Sequence, residues 1–355
     1  MPLKTMMPRS RARDFCERFG LRVPVLMGPM AGSSPPALAA AVASAGGLGA
    51  CGATLMDAAA IADWSAAFRA CSDAPFQINI WIPGPKLPVE PAAVQRISAL
   101  LAERGVDPGP ANEAVPPNFA DQCAAIVAAR PRVASSIMGI YPPDIIAAFE
   151  REGIAWFANV TTLVEARAAE AAGADAVVVS GVEAGGHRGS FDPAAAERQS
   201  GTLFALLPIV ADAVSIPVVA AGGIADGRGL AAALTLGASA VQIGTALLRA
   251  PEAETAAVWA DAIARALPED TVLTRAFSGR LARAIRNRWT EAVGGDALLF
   301  PAQRHATVHL RSLATQSGDA SIMQMWAGQA ASLARADPAA TVVDRLWREA
   351  DALLA

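Results

Sequence analysis

The chain has 355 residues, of which 53% are hydrophobic and 17% are charged, and its formal net charge is −4. This composition excludes an intrinsically disordered chain, and the small negative charge provides no field that would attract nucleic acid. The length permits one α/β barrel of about 200 to 250 residues together with additional segments.

The first 56 residues and the cysteines indicate the cellular setting. The first 20 residues lack the apolar core of a signal peptide. Residues 23–56 carry no charge, but prolines and small alanines interrupt the segment, which predicts buried core and no membrane association. Four cysteines without C-x-x-C spacing predict neither a disulfide framework nor a zinc site, and they favour a reducing, cytoplasmic setting: Cys16, Cys51, Cys71 and Cys123.

Eight short apolar runs alternate with alanine-rich helical stretches, at 23–28, 47–52, 76–81, 132–138, 154–160, 176–181, 217–222 and 240–245. Near-continuous apolar runs predict parallel strands that are buried on both faces. Eight such strands favour an α/β fold of the (β/α)8 TIM barrel type. A helix, a glycine and a strand recur in order, with Gly47, Gly173 and Gly237 predicted as left-handed residues at helix ends. A doubly wound open sheet has the same units, so periodicity alone leaves both folds open.

Two segments interrupt this alternation. Residues 82–117 are proline-rich, with one predicted helix at about 92–104, and are expected to cover one barrel mouth. Helical patterns follow residue 250. We therefore predict a barrel domain comprising 1–250 and 251–270, and a C-terminal segment, 271–355, whose helices pack on the barrel and close its active face.

Glycines follow several predicted strands at the end where barrel enzymes have their active sites. Gly222 and Gly223 come after the seventh strand, and Gly244 and Thr245 after the eighth. Bare backbone N–H groups at such positions bind phosphate, so a phosphate-bearing cofactor is implied. The alternative is that these glycines only form tight turns. Neither glycine run is a dinucleotide fingerprint, because no G-x-G-x-x-G opens a helix there, and a Walker-type G-K-[ST] sequence is absent.

His187 stands in "GVEAGGHRGSF", directly after the sixth strand. Its unperturbed pKa of about 6.5 makes an imidazole a candidate base at neutral pH, although an isolated histidine is more often a capping or surface residue. His305 and His309 have i, i+4 spacing but no third ligand, so no metal site is predicted.

An arginine cluster spans residues 275–288. One or two of its guanidinium groups would suit an anionic substrate or a phosphate. The others are expected to solvate a helix whose Leu281 and Ile285 face inward.

The motifs "PVLMGPMAGSSPPALAAAVASAGGLGACGA", "FQINIW", "GADAVVVSGVEAGGHRGSF", "PVVAAGGIADGRGLAAALTLGASAVQIGT", "TRAFSGRLARAIRNRW" and "MWAGQ" occur between residue 23 and about 330. In this order they resemble the nitronate monooxygenase family, formerly called 2-nitropropane dioxygenases. The resemblance implies an FMN-binding (β/α)8 barrel in which His187 is the catalytic base. It also implies a set of cofactor-binding residues: Met30, Asn79, Ser180, Gly185, Gly186, Gly222, Gly223, Gln242, Ile243, Gly244 and Thr245. Ser180 departs from the glutamine of many members, and its shorter hydroxyl cannot offer the ring both an amide donor and a carbonyl acceptor.

The reaction implied by this resemblance is the oxidation of alkyl nitronates, and of nitroalkanes, by O2 to a carbonyl compound and nitrite. Two alternatives remain. One is an FMN-dependent enoyl-thioester or quinone reductase that uses NAD(P)H on the same scaffold. The other is a phosphate-ligand-binding barrel without flavin or turnover. Apolar tail helices would cover the barrel or a second subunit equally well, which leaves a homodimer open.

Overall fold

A computed structural model of the protein describes residues 6–84, 88–109 and 116–355. Each of the eight predicted runs contains a strand of one parallel sheet: β1 Val25–Met27, β2 Gly49–Gly52, β3 Phe76–Trp81, β4 Val133–Ile137, β5 Ala155–Val160, β6 Ala176–Ser180, β8 Val218–Ala221 and β9 Ala240–Ile243. The short strand β7, Gly186–His187, lies outside this sheet.

The sheet closes between its first two strands. Met27 donates its N–H to the Leu48 carbonyl at 2.9 Å, and Leu48 donates to the Val25 carbonyl at 3.1 Å. Closure removes both sheet edges, so the fold is the predicted (β/α)8 barrel and not an open doubly wound sheet.

Helices surround the barrel and extend beyond it: α1 Pro8–Phe19, α2 Pro36–Ser44, α3 Ala58–Cys71, α4 Pro91–Ala102, α5 Phe119–Ala129, α6 Pro143–Arg151, α7 Leu163–Ala171, α8 Leu203–Ala213, α9 Gly227–Thr235, α10 Ala257–Arg265, α11 Arg288–Val293, α12 Ala302–Ala306, α13 Val308–Ser317 and α14 Ala339–Leu353. The side chain of Asp226 caps α9, as that of Thr162 caps α7. α14 packs against α9 and α2 on the outside of the barrel. Within the described ranges, no helix is both long and apolar enough to cross a membrane.

The barrel interior changes from apolar at one end to polar at the other. At the amino ends of the strands, Phe15 and Phe19 of α1 pack against Phe157, and the Phe19 and Phe157 rings meet edge to face at 4.8 Å. Toward the carboxyl ends, Asn79 donates to the Ser135 carbonyl at 3.1 Å. A polar, hydrogen-bonded layer at that end leaves room for a polar ligand.

A second, three-stranded antiparallel sheet covers the carboxyl end, in the order β10 (Thr271–Thr274), β11 (Ala282–Ile285) and β7. We call residues 246–334 the cap. The helix predicted over the arginine cluster is wrong, because its residues 282–285 form β11. Leu281 and Ile285 are buried as expected, but residues four apart share a face in a strand as well as in a helix.

The sequence predicts left-handed glycines at three helix ends and one helix in the proline-rich excursion. Gly173 and Gly237 have φ of 98° and 111°, as predicted, but the left-handed residue before β2 is Gly46 (φ 93°) and not Gly47. Gly47 is required for another reason, since a Cβ there would lie 2.5 Å from the Val25 carbonyl oxygen. The helix predicted in the excursion is α4, and its Ile97 and Leu101 pack in the same apolar cluster as the cap.

Candidate active site

A cavity of about 740 Å³ opens at the carboxyl ends of the barrel strands and is roofed by the cap. The structure brings all twelve predicted site residues into its wall: Met30, Asn79, Ser180, Gly185, Gly186, His187, Gly222, Gly223, Gln242, Ile243, Gly244 and Thr245. Their roles remain predictions, but one cavity joins residues that the sequence separates by more than 200 positions.

His187 is held on β7 by the cap sheet. It pairs with Ala282 of β11, and the next residue, Arg188, donates its N–H to the Leu281 carbonyl at 2.8 Å. The imidazole lies between two indole rings, with ring centroids 4.7 Å from Trp81 and 5.1 Å from Trp326, both edge to face. Its Nε2 lies 2.8 Å from the hydroxyl oxygen of Ser278. The ring therefore has a fixed position at the cavity wall.

Burial lowers the pKa of His187 to about 3, and the positive charges of Arg304 and Arg280 lower it in the same direction. An apolar aromatic enclosure disfavours the charged imidazolium, and so do two guanidinium groups. The side chain is consequently uncharged at neutral pH and retains a lone pair that can accept a proton.

The glycines at the rim leave backbone bare toward the cavity. Gly222 and Gly223 have φ of 112° and 69°, a region that favours glycine. A Cβ on Gly186 would meet no atom within 4 Å, and one on Gly244 would come no closer than 3.5 Å, to the flexible Met30 side chain. Gly185 has a different constraint, because a Cβ there would lie 2.5 Å from the Gly328 nitrogen.

Several polar atoms in the cavity wall are buried without a hydrogen-bond partner in the described part of the chain. They are Asn159 Oδ1, Thr255 Oγ1, Trp259 Nε1, Arg311 Nε and Gln324 Oε1. Buried polar groups normally find a partner, so this wall is suited to a ligand with several polar atoms. Thr245 Oγ1 accepts the Gly328 N–H at 2.9 Å, and its hydroxyl hydrogen is still able to donate.

Two buried arginines secure the loop between β6 and β7. Arg188 donates through Nη1 to the Ser180 carbonyl at 2.7 Å and through Nη2 to the Gln199 carbonyl at 2.6 Å. Arg283 donates through Nε to the Val182 carbonyl at 2.8 Å and through Nη1 to the Thr271 hydroxyl at 2.8 Å. The loop that leads to His187 is thus fixed at both its start and its centre.

Sequence reasoning did not identify several residues that line the same cavity: Trp81, Ser278, Phe300, Arg304 and Trp326. Trp81 ends β3, two residues after the predicted site residue Asn79. Its place at a strand end could therefore have predicted that it lines the site. The other four belong to the cap, where no strand end indicates which side chains return to the barrel.

His305 and His309 are not on one helix. His305 lies on α12 and His309 on α13, where His309 Nδ1 lies 3.0 Å from the Asp107 carbonyl oxygen. In the described ranges, no three His, Cys, Asp or Glu side chains are grouped as metal ligands.

A polar cavity at the carboxyl end of a (β/α)8 barrel, with bare glycine backbone on one rim and an uncharged imidazole on another wall, defines the site of a barrel enzyme. The family model described as nitronate monooxygenase matches residues 14–349. The chain therefore belongs to the nitronate monooxygenase family, a family of flavin-dependent enzymes.

Individual relatives agree with this assignment. The chain is 38% identical to a nitronate monooxygenase from Paraburkholderia phytofirmans, over 97% of this chain and 96% of the relative. It is similar to the crystal structure of a nitroalkane oxidase from Streptomyces ansochromogenes, with a TM-score of 0.90, 37% identity, and coverage of 95% of this chain and 98% of that one. FabK from Thermotoga maritima is a weaker match, with a TM-score of 0.76, 30% identity and 96% coverage of both chains.

Proposed function

We propose that the protein binds FMN and oxidises alkyl nitronates, and nitroalkanes, with O2 to a carbonyl compound and nitrite. The observation that carries this proposal is the position of His187, which is uncharged and faces the same cavity as the bare glycine rim. The nitronate monooxygenase and the nitroalkane oxidase among its relatives support the same chemistry.

The cavity residues fit FMN. The bare backbone at Gly222, Gly223 and Gly244, with the Thr245 hydroxyl, would hold the phosphate. Met30, Asn79, Ser180, Gly185 and Gly186 would border the ring and the ribityl chain, with Gln242 and Ile243 beside them, and the unpartnered polar atoms of the wall are suited to such a polar ligand. When bound, FMN supplies the redox chemistry, because it accepts electrons from the substrate and passes them to O2.

His187 would act differently on the two substrates. From a neutral nitroalkane it removes the α-proton, and the electron pair of the broken C–H bond moves onto the nitro group to give the nitronate. A preformed nitronate needs no proton removal, so the imidazole only orients it. An isolated base with a pKa of about 3 is weak, but the anion formed beside the ring raises that pKa as the proton arrives.

The remaining wall suits a small organic anion. Trp81, Phe300 and Trp326 provide apolar surface for an alkyl chain, and Arg304 provides positive charge for nitronate oxygens. The four cysteines are free, which fits the proposed cytoplasmic location.

Oxygen uptake tests this function. Purified protein saturated with FMN is expected to absorb near 450 nm and to consume O2 when an alkyl nitronate is added, with nitrite as a product. The matched assay follows NADH oxidation with a quinone or an enoyl thioester. Rapid NADH oxidation without nitronate-dependent oxygen uptake would assign the protein to the reductases, and absence of flavin binding would favour a barrel without turnover.

A further inference from the structure

The hydrogen bond of Ser278 to His187 bears on which ring nitrogen is the base. A neutral imidazole carries one N–H and one lone pair, so the partner of one nitrogen decides what the other nitrogen offers. Nε2 lies 2.8 Å from Ser278 Oγ. For Nδ1 there is no hydrogen-bond partner among the described residues, so Nδ1 is the nitrogen left for a substrate.

The Ser278 hydroxyl has a small set of neighbours. The side chain is 1% exposed, and the backbone N–H and carbonyl of Arg280 each lie 3.3 Å from Oγ. The Arg280 N–H donates to Oγ. The single hydroxyl hydrogen is therefore directed either to the Arg280 carbonyl or to His187 Nε2.

These two arrangements give opposite chemistry. If the hydroxyl donates to Nε2, the ring proton lies on Nδ1, and that nitrogen has no lone pair to offer a substrate. If the hydroxyl donates to the Arg280 carbonyl, Nε2–H donates to Oγ and Nδ1 is free to accept a proton. Only the second arrangement also persists after proton transfer, because both nitrogens of an imidazolium are donors.

We propose that Ser278 is a positioning residue, which accepts a hydrogen bond from Nε2–H of His187 and so presents an unprotonated Nδ1 to the α-proton of the substrate. The inference rests on the proposed function. In the step, the substrate C–H bond breaks, an Nδ1–H bond forms, and the electron pair remains on the substrate as the nitronate. Ser278 holds the imidazolium through Nε2 without having to rotate its hydroxyl.

The backbone keeps the two side chains together. Ser278 and Gly279 form the turn that leads into β11, and β11 pairs with His187 through Ala282. Gly279 has φ of 81°, and a Cβ there would lie 2.4 Å from the Phe300 nitrogen, so the turn is constrained by its surroundings. The serine therefore lies at the end of the antiparallel ribbon that carries the histidine.

Nitrogen NMR of histidine-labelled, FMN-saturated protein tests the tautomer directly. The chain has only three histidines, and the His187→Asn variant identifies the signals of the one in the site. We expect His187 in the wild-type protein to carry its proton on Nε2, and Ser278→Ala to reduce the share of that tautomer. A wild-type protein with the proton on Nδ1 would overturn the inference, and this measurement does not require any variant at position 278 to fold.

Kinetics provides the second measurement. Ser278→Ala is expected to lower kcat/KM for a neutral nitroalkane by about 10- to 100-fold, with turnover of the preformed nitronate changed less than about threefold. The primary isotope effect with an α-deuterated nitroalkane should rise, because proton transfer becomes more rate-limiting. Ser278→Thr, which keeps a hydroxyl, should recover most of the loss, and Ser312→Ala on the exposed face of α13 should behave as wild type.

The result with His187→Asn separates the two proposals. If this variant turns over nitroalkanes as well as the wild type, the base assignment in the proposed function fails. If His187→Asn loses nitroalkane turnover and Ser278→Ala does not, or if Ser278→Ala lowers nitronate and nitroalkane turnover equally, the role assigned to Ser278 fails.

Discussion

At the level of single residues, His187 shows how surroundings change the chemistry of a side chain. Trp81 and Trp326 enclose the ring, and Arg280 and Arg304 contribute positive charge, so the pKa falls to about 3 from the ordinary value near 6.5. The folded protein therefore holds His187 neutral at pH values where the unfolded chain protonates it.

This difference predicts a pH-dependent stability. Above about pH 6.5 both states are deprotonated and His187 has no effect on the pH dependence. As the pH falls from 6.5 toward 3, only the unfolded state takes up the proton, so folding is destabilised. Between pH 7 and pH 5 we expect FMN-saturated wild-type protein to lose about 1 to 2 kcal/mol more unfolding free energy than His187→Asn, a figure reduced for the ring's access to the cavity. Urea unfolding of both proteins measures it, and equal losses would contradict the low pKa.

Some residues of the site could be predicted from the sequence and others could not. The glycines and His187 follow predicted strands, and parallel strands in a barrel bring their carboxyl ends together, so chain order predicted that they lie at one end of the barrel. The role of His187 as a base was implied only by the family resemblance. The tertiary fold of the cap brings four further residues to the cavity: Ser278, Phe300, Arg304 and Trp326. The sequence patterns of the segments that carry these residues do not predict how the cap folds over the barrel.

At the level of secondary-structure elements, the arginine-rich segment separates buried from exposed guanidinium groups. All four residues of β11 are buried, Arg283 against the β6–β7 loop, whereas Arg286, just beyond the strand, is exposed. The inward spacing of Leu281 and Ile285 fits both a helix and a strand, so this spacing cannot distinguish the two. Pairing with β10 and β7 determines the outcome.

Paired substitutions test this separation. Arg283→Met leaves the Val182 carbonyl without its donor and is expected to lower the unfolding free energy by about 2 kcal/mol. It should also slow nitroalkane turnover, because the loop that leads to His187 loses a support. Arg286→Met removes the same charge from an exposed position and should change stability by less than about 0.5 kcal/mol. Denaturant unfolding distinguishes the two, and equal effects would show that charge alone matters.

At the level of the whole molecule, the two ends of the barrel serve different purposes. Apolar packing by α1 fills the amino end, and the polar layer and the cap form the cavity at the other. Eight strands were predictable because each lies in a near-continuous apolar run, as expected for strands buried on both faces. Local sequence patterns do not predict the closure between β1 and β2. They also do not predict that α14 packs against α9 and α2, because these contacts join distant parts of the chain.

Two phenylalanines test the division between stability and catalysis. Phe19 is fully buried against Phe157, so Phe19→Ala should lower the unfolding free energy by about 3 to 5 kcal/mol. Phe204 is 73% exposed, and Phe204→Ala should cost less than about 0.5 kcal/mol. Nitronate turnover by the folded fraction should be unchanged in both. A large loss of turnover in folded Phe19→Ala would mean that packing at the amino end of the barrel affects catalysis at the other end.

The pairing of β7 with β11 attaches His187 to the cap, whereas Gly222, Gly223 and Gly244 extend directly from barrel strands. The proposed base and the glycines proposed to bind the cofactor phosphate thus belong to different parts of the molecule, the cap sheet and the barrel strands. Gentle warming that loosens the cap sheet should stop proton removal from nitroalkanes while the proposed FMN is still bound. Loss of nitroalkane turnover would then precede loss of FMN. Substitutions in the cap sheet are accordingly expected to change substrate preference without altering the proposed cofactor site.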